Sequence, residues 1–279
     1  MAYKNPMQLE RLLKSMEHPD FYLFIHLDLK IEKADFQYLV NLPRTYFINN
    51  RVLCNWGGFS FVKAILSSLS EVLDSDLKFD FINLMSAQDY PIKPINQIHN
   101  FLNQNKNKCF VSYDDDPEKK WWNHASKRSE LYHLTDLNFK GRYFLQNFIN
   151  KFLPKRNFPL SIELYGSSDS SWWTITSDCA TYIVNFMEQN KELYKFMKYT
   201  WGADEFLIAT IIMNSPFRSI VVNNNLRLIK WQDGLANPMI LTIEDLPMIK
   251  NSDKLFSRKF DDKVDEKILN ELDKYLHVD

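Results

Sequence analysis

The sequence predicts an α/β fold, and three observations carry that reading. Short aromatic and aliphatic runs alternate with segments of helical period, the signature of strand–helix alternation. One run, FDFINLM at Phe79–Met85, is mostly apolar, as a parallel strand buried on both faces would be. The chain has 279 residues, of which 45 % are hydrophobic, so a substantial core can form.

The elements follow in order. Met7, Leu9, Leu12, Leu13 and Met16 recur at helical spacing over Met7–Glu17. FYLFIHLDLK, Phe21–Lys30, reads as a strand with Asp28 near its end, and Thr45–Asn49 as a second. Phe61–Leu73 reads as a helix entered through Gly57 and Gly58. After the Phe79–Met85 strand come a helix over Ile95–Asn103 and a strand over Cys109–Tyr113. The second half adds an aromatic strand, Ser171–Thr176, and helices over Ser177–Glu188, Lys191–Lys198 and Glu205–Met213. An amphipathic helix closes the chain over Lys263–Leu276. No linker, repeat or composition shift marks a boundary, so a single domain over residues 1–279 is expected.

Composition excludes several classes. A net charge of −1 lacks the basic excess that a nucleic-acid backbone requires. The three cysteines, Cys54, Cys109 and Cys179, are odd in number and widely spaced, which speaks against a disulfide framework or a Cys-rich zinc site. No stretch approaches the roughly 20 apolar residues of a membrane span. The start, MAYKNPMQLERLLKS, has no signal-peptide core. The expectation is a soluble intracellular protein in a reducing compartment. No P-loop, Gly-x-Gly-x-x-Gly or Gly-x-Ser-x-Gly pattern occurs.

In an open α/β sheet, ligands bind beyond the carboxyl ends of the strands. The residues there are His26–Asp28, Ser86–Asp89 and Asp114–Asp116, and acids at three strand ends suit a hydroxyl-rich ligand. Asp89 is read either as a site residue or as the cap of an Asp-Tyr-Pro turn. Asp114 and Asp116 form an Asp-x-Asp that could hold a divalent cation, or a solvated acidic loop followed by Lys119 and Lys120. His26, in a strand, reads as a satisfied core histidine. Adjacent strand residues face opposite sides, so one of Trp172 and Trp173 packs inward and the other is free to stack on a sugar ring. Arg258 and Lys259, between aromatics in LFSRKFD, form either a surface ion-pair segment or a phosphate clamp. In WGADEFLIATII, Asp204 suits an N-cap and Glu205 the first turn of the helix, where an ionised carboxylate could also act as a general base.

Five segments occur in a telling order: WGGFSFVKA, LMSAQDYPIK, SSWWTIT, GADEFLIAT and LFSRKFD. Together they resemble the core-2/I-branching β-1,6-N-acetylglucosaminyltransferase family, which includes the peptide O-xylosyltransferases. The resemblance runs from Asn5 to about Asp262. It implies a GT-A-like, Rossmann-type domain with a mixed central sheet flanked by helices. It implies transfer with inversion from a UDP-sugar, with no metal cofactor; Ser86-Ala87-Gln88-Asp89 stands where related enzymes carry a metal-binding Asp-x-Asp. Carried over by motif, Glu205 is the catalytic base. Lys259, assisted by Arg258, holds the diphosphate, and Asp28 contacts the nucleoside. Asp89 and Asp204 join the substrate-binding set. Trp172 or Trp173 and the Asp114–Asp116 loop border the acceptor, a glycan or glycolipid.

The sequence departs from the family pattern in three places. Only Met1-Ala2-Tyr3 precede Lys4 where relatives carry a strand ending in Ala-His, so the first strand is expected to be absent or shortened. With few cysteines and no anchor, the chain looks like bacterial members that build surface glycans, a cytoplasmic enzyme with room for peripheral membrane association through its acceptor. A further phosphate-binding Arg of some members has no counterpart at Asn237-Pro238-Met239.

Overall fold

A computed structural model of the chain describes residues 1–116, 118–232, 234 and 237–276. Nine strands and eleven α-helices are present among them. Helix α1 (Pro6–Ser15) starts where proline fits the first turn and the Asn5 side chain accepts from the Gln8 amide at 3.2 Å. Strands β1 (Leu23–Ile25) and β2 (Thr45–Phe47) pair in parallel. Helix α2 (Phe59–Leu73) leads to β3 (Phe81–Asn83), β4 (Asp89–Pro91), α3 (Ile95–Gln104) and β5 (Cys109–Val111). Three further helices follow, α4 (Lys120–Ala125), α5 (Lys127–Glu130) and α6 (Arg142–Phe152). Then come β6 (Thr174–Thr176), α7 (Ser177–Gln189), α8 (Lys191–Met197) and α9 (Leu207–Met213). The chain finishes with β7 (Val221–Asn223), β8 (Arg227–Ile229), α10 (Leu246–Lys250), β9 (Phe256–Arg258) and α11 (Glu266–Leu276).

Sheet order is β3-β6-β5-β7, with β4-β9-β8 and the β1-β2 pair as separate ladders. Pairing is mixed. β5 runs parallel to β7, and β8 to β9, while β6 is antiparallel to both its neighbours. Side chains of β5 alternate between two cores, Phe110 entering one and Cys109 and Val111 the other. The first core gathers α1, α3, α11 and β9; the second gathers α2, α7, α8 and α9. Helices thus flank a mixed sheet, as a GT-A-like domain requires.

The structure corrects several local expectations. Phe79–Met85 yields only a three-residue strand, half-buried and antiparallel to β6 rather than parallel and fully buried. A near-continuous apolar run does not report strand direction; the partner does. Asp89, read either as a site residue or as the cap of an Asp-Tyr-Pro turn, lies on a strand, and Asp89–Pro91 pairs antiparallel with β9. The expected Glu205–Met213 helix begins at Leu207, preceded by a 3₁₀ turn over Ala203–Glu205.

Where a shortened first strand is expected, the structure has a bridge. Ala2 pairs in parallel with Leu27, donating to His26 C=O and accepting from Asp28 N–H, both at 2.9 Å. On its other side the Met1 ammonium donates to Met85 C=O at 2.8 Å, and Met1 C=O accepts from Ala87 N–H at 2.9 Å. Met1, Ala2 and Tyr3 also line the cleft described next. Behind it lies a larger, mainly apolar cavity of about 690 Å³ between Leu23–Ile25 and Phe81–Leu84.

Candidate functional site

A cleft of about 380 Å³ opens where strand ends and loops from both halves of the chain converge. Asp28, Trp172, Asp204, Glu205, Arg258 and Lys259 all line it. It brings together the adjacent acids Asp204 and Glu205 and the adjacent cations Arg258 and Lys259, none of which lines the larger cavity, so the smaller space is the candidate active site.

The acid pair is set by a glycine turn. Gly202 has φ +60°, and its N–H donates to Gly57 C=O at 2.8 Å. Gly57 has φ +70°, and a Cβ there would stand 2.3 Å from the Trp201 indole nitrogen. Only glycine meets both demands, which explains the Trp-Gly lead-in to Asp204 and Glu205. Asp204 is not the N-cap of α9. It sits inside the 3₁₀ turn, and its carboxylate accepts from Ser171 Oγ at 2.7 Å. Burial raises its pKa, offset by that hydrogen bond.

Burial also pushes the Glu205 carboxyl up to about 7, helped by the neighbouring Asp204 charge and opposed by Arg128. Arg128 donates from Nη1 to Glu205 Oε2. Its guanidinium lies 5.2 Å from the Trp121 ring centroid and 4.7 Å from that of Trp201. Glu205 is therefore a carboxyl that titrates near neutrality and is held in place by a cation clamped between two indoles. Such a group can take a proton from a hydroxyl.

The opposite wall is cationic. Arg258 is buried, with its guanidinium 4.2 Å from the Trp172 ring centroid and its Nε 3.6 Å from Asp89 Oδ1. Its Nε and Nη1 have no hydrogen-bond partner within the described protein. A buried guanidinium with unpaired N–H donors beside a cleft has the chemistry to receive an anion. Burial lowers the Lys259 pKa, and the positive charges of Arg258 and Lys4 lower it further. A bound anion would relieve that repulsion.

Asp28 stands at the far end, buried, accepting from Lys30 N–H at 2.9 Å, with the Lys30 ammonium 3.6 Å away. His26 is a buried histidine with a hydrogen-bond partner, in line with its reading as a satisfied core histidine: Nε2 accepts from Val52 N–H at 3.0 Å, and burial, and next the Met1 ammonium, press its pKa to about 4.

Three expected site residues fall elsewhere. Asp89 is wholly buried behind Arg258, accepting from Ser86 N–H at 3.0 Å, and does not line the cleft. Trp173 is a core residue of zero exposure, while Trp172 lines the cleft; the strand expected over Ser171–Thr176 covers only Thr174–Thr176, so both rings stand just ahead of it. Asp114 also stays outside the cleft, its oxygens occupied by the amides of Asp116 (3.1 Å) and Trp121 (2.9 Å). Asp116 accepts from Glu118 N–H and pairs with Lys120 at 3.1 Å. The Asp-x-Asp therefore caps a loop rather than presenting free oxygens to a cation. Asn237 and Pro238 line the cleft, whereas neighbouring Leu235 and Ala236 lie outside the described residues.

Sequence reasoning missed Arg128, the edge-to-face pair Trp56–Trp201 at 5.3 Å, and Trp231, whose indole donates to Asp169 at 2.8 Å. Arg128 is 77 residues from Glu205, and no spacing signal links them. Its only hint is its place shortly after the Trp121–Trp122 pair.

The chain resembles known proteins over most of its length. The sequence model of a family described as Core-2/I-Branching enzyme matches residues 1–250. Xylosyltransferase 1 of Rattus norvegicus is 25 % identical over 97 % of this chain, covering 34 % of its own length. Xylosyltransferase 2 of Rattus norvegicus is 27 % identical over 97 % of this chain and 32 % of its own. A xylosyltransferase of Ciona intestinalis is 26 % identical over 98 % and 33 % respectively. The chain thus spans about a third of the length of these relatives.

Proposed function

The chain belongs to the Core-2/I-Branching enzyme family, and from that premise we propose that it is an inverting, metal-independent glycosyltransferase. It moves a sugar from a UDP-sugar to a hydroxyl of a glycan or glycolipid acceptor. The names of the matched relatives favour xylose as the donor sugar, with N-acetylglucosamine as the alternative. The single observation carrying the reading is the buried Arg258, with free N–H donors, in the same cleft as Glu205.

The mechanism follows from charge. Glu205 takes the proton of the acceptor hydroxyl. The oxygen lone pair forms the new bond to the anomeric carbon from the face opposite UDP. The bond from that carbon to the β-phosphate oxygen breaks, and its electron pair leaves with UDP. Arg258 and Lys259 neutralise the charge that builds on the diphosphate, the role a cation would otherwise fill. Asp28 receives a hydroxyl or amide of the nucleoside, and Trp172 offers an apolar face to a sugar ring. The whole of residues 1–279 acts as one catalytic domain, facing the cytoplasm, in synthesis of a bacterial surface polysaccharide.

A panel of UDP-sugars, with and without EDTA, tests this directly. One UDP-sugar should protect the fold against heat and release UDP at the same rate in EDTA. Activity lost in EDTA and restored by manganese would overturn the metal-free mechanism.

A further inference from the structure

Helix α6 is inside out. It has no buried residue. The face it turns to the protein is mainly polar, with Ile149 its half-buried apolar residue: Gln146 accepts from Leu134 N–H at 2.9 Å, and Asn150 both accepts from Tyr132 N–H and donates to Tyr132 C=O at 2.8 Å. The face it turns outward is aromatic. Phe144, Phe148 and Phe152 recur every fourth residue, Phe144 is 78 % exposed, and the Phe148 and Phe152 ring centroids lie 4.7 Å apart with the rings tilted by 48°. Tyr143, Phe139 and Leu153 extend the same exposed surface.

Charge is equally one-sided. Residues 137–162 contain five Lys and Arg and no Asp or Glu, in a chain whose net charge is −1. Arg142 and Arg156 staple the segment to backbone carbonyls of Leu137 and Tyr199, and Lys155 pairs with Glu130. Lys140 and Lys151 have no acidic partner among the described residues. Exposed aromatic rings ringed by cations, on a helix anchored by its polar side, match the chemistry of an anionic bilayer surface: rings enter the acyl boundary and ammonium groups meet the lipid phosphates. A protein partner of neutral charge would leave the cations unanswered.

We propose that α6 and its flanks are a docking surface for an anionic membrane. The helix is rooted beside the cleft. Asp136, just before it, accepts from Ser60 N–H at 2.8 Å and from the Asn55 amide at 3.2 Å, next to the Trp56–Gly57 wall. Docking would therefore hold the cleft mouth near the lipid surface, where a lipid-linked acceptor is presented. Membrane binding itself does not depend on the transferase assignment.

The test is co-sedimentation of the full chain with vesicles of phosphatidylcholine alone or with phosphatidylglycerol. Binding is expected to the anionic vesicles, at least tenfold tighter than to neutral ones, and to weaken as salt rises. Phe144→Ser/Phe148→Ser/Phe152→Ser should weaken it at least tenfold with an unchanged melting temperature, since these rings pack on little. Lys140→Glu/Lys151→Glu should weaken it only on anionic vesicles. Absence of anionic-vesicle binding, or triple-Ser binding equal to wild type, would overturn the proposal. So would a concentration-dependent dimer that the triple-Ser variant abolishes, which would assign the face to a second copy of the chain. UDP release measured alongside reports on the catalytic reading separately.

Discussion

Replacing Glu205 by Gln removes one ionisable oxygen while keeping the shape of the side chain and a hydrogen-bond acceptor for Arg128. Because burial lifts the Glu205 carboxyl to about 7, the base form is about a tenth populated at pH 6 and about nine tenths at pH 8. The rate of UDP release should therefore climb about tenfold across the acid limb and level above pH 8. In the Gln variant the turnover should fall by about 10²–10⁴ and the limb should vanish. UDP binding, measured by calorimetry, should persist, since the diphosphate meets the cationic wall instead. The same shift has a stability signature. The folded carboxyl holds its proton above the ordinary value of 4.5, so between about pH 4.5 and 7 the native state binds more protons than the unfolded chain. Stability should thus fall as pH rises through that window, by about 3 kcal/mol at most. Glu205→Gln should flatten that slope in pH-dependent melts. A Gln variant with wild-type turnover and an unmoved acid limb would refute the assignment of the base.

Other changes separate the neighbouring roles. Arg128→Gln should move the acid limb of the rate to higher pH, because the guanidinium is the largest influence holding the Glu205 carboxyl down; an unmoved limb would remove Arg128 from the site. Arg258→Lys should weaken UDP binding by about 10- to 100-fold in calorimetry, through loss of donors to the charged diphosphate, while Arg258→Met should also lower the melting temperature because Asp89 is left buried without its cation. Trp173→Ala should cost about 3–5 kcal/mol in denaturant unfolding as a large core cavity opens; Trp172→Ala should change stability little and raise the KM for a sugar substrate. Asp114→Asn should leave UDP release in EDTA unchanged, since its oxygens serve loop amides.

How much of this was legible in the sequence differs by element. The first helix was readable because the period of Met7, Leu9, Leu12, Leu13 and Met16 is a local pattern. Its observed span, Pro6–Ser15, lies within a residue or two of the sequence reading. Strands were harder. Asp89–Pro91 and Phe256–Arg258 pair with each other across more than 160 residues, and each alone looks like a turn or a charged loop. Strand alternation was the ground for expecting one of Trp172 and Trp173 in the core and the other free. Yet both precede the strand Thr174–Thr176, and it is the packing around them that buries Trp173 and leaves Trp172 in the cleft lining. Asp204 looked like a cap because residue type and position fit one; the tertiary structure supplied Ser171 as a competing donor and moved the helix start to Leu207.

By itself the sequence determined the fold class, the order of the motifs, and the ionisable residues able to make a base and an anion clamp. These follow from side-chain periodicity and functional-group identity, which are properties of short stretches. Tertiary structure alone decided which acids face the cleft and which lie behind it, as with Glu205 against Asp89. It alone brought Arg128 and its flanking indoles to the carboxylate, left Arg258 with free donors, and turned the aromatic face of α6 outward. Those outcomes depend on burial and on partners distant in the chain, and no local pattern encodes a partner that folding alone brings near.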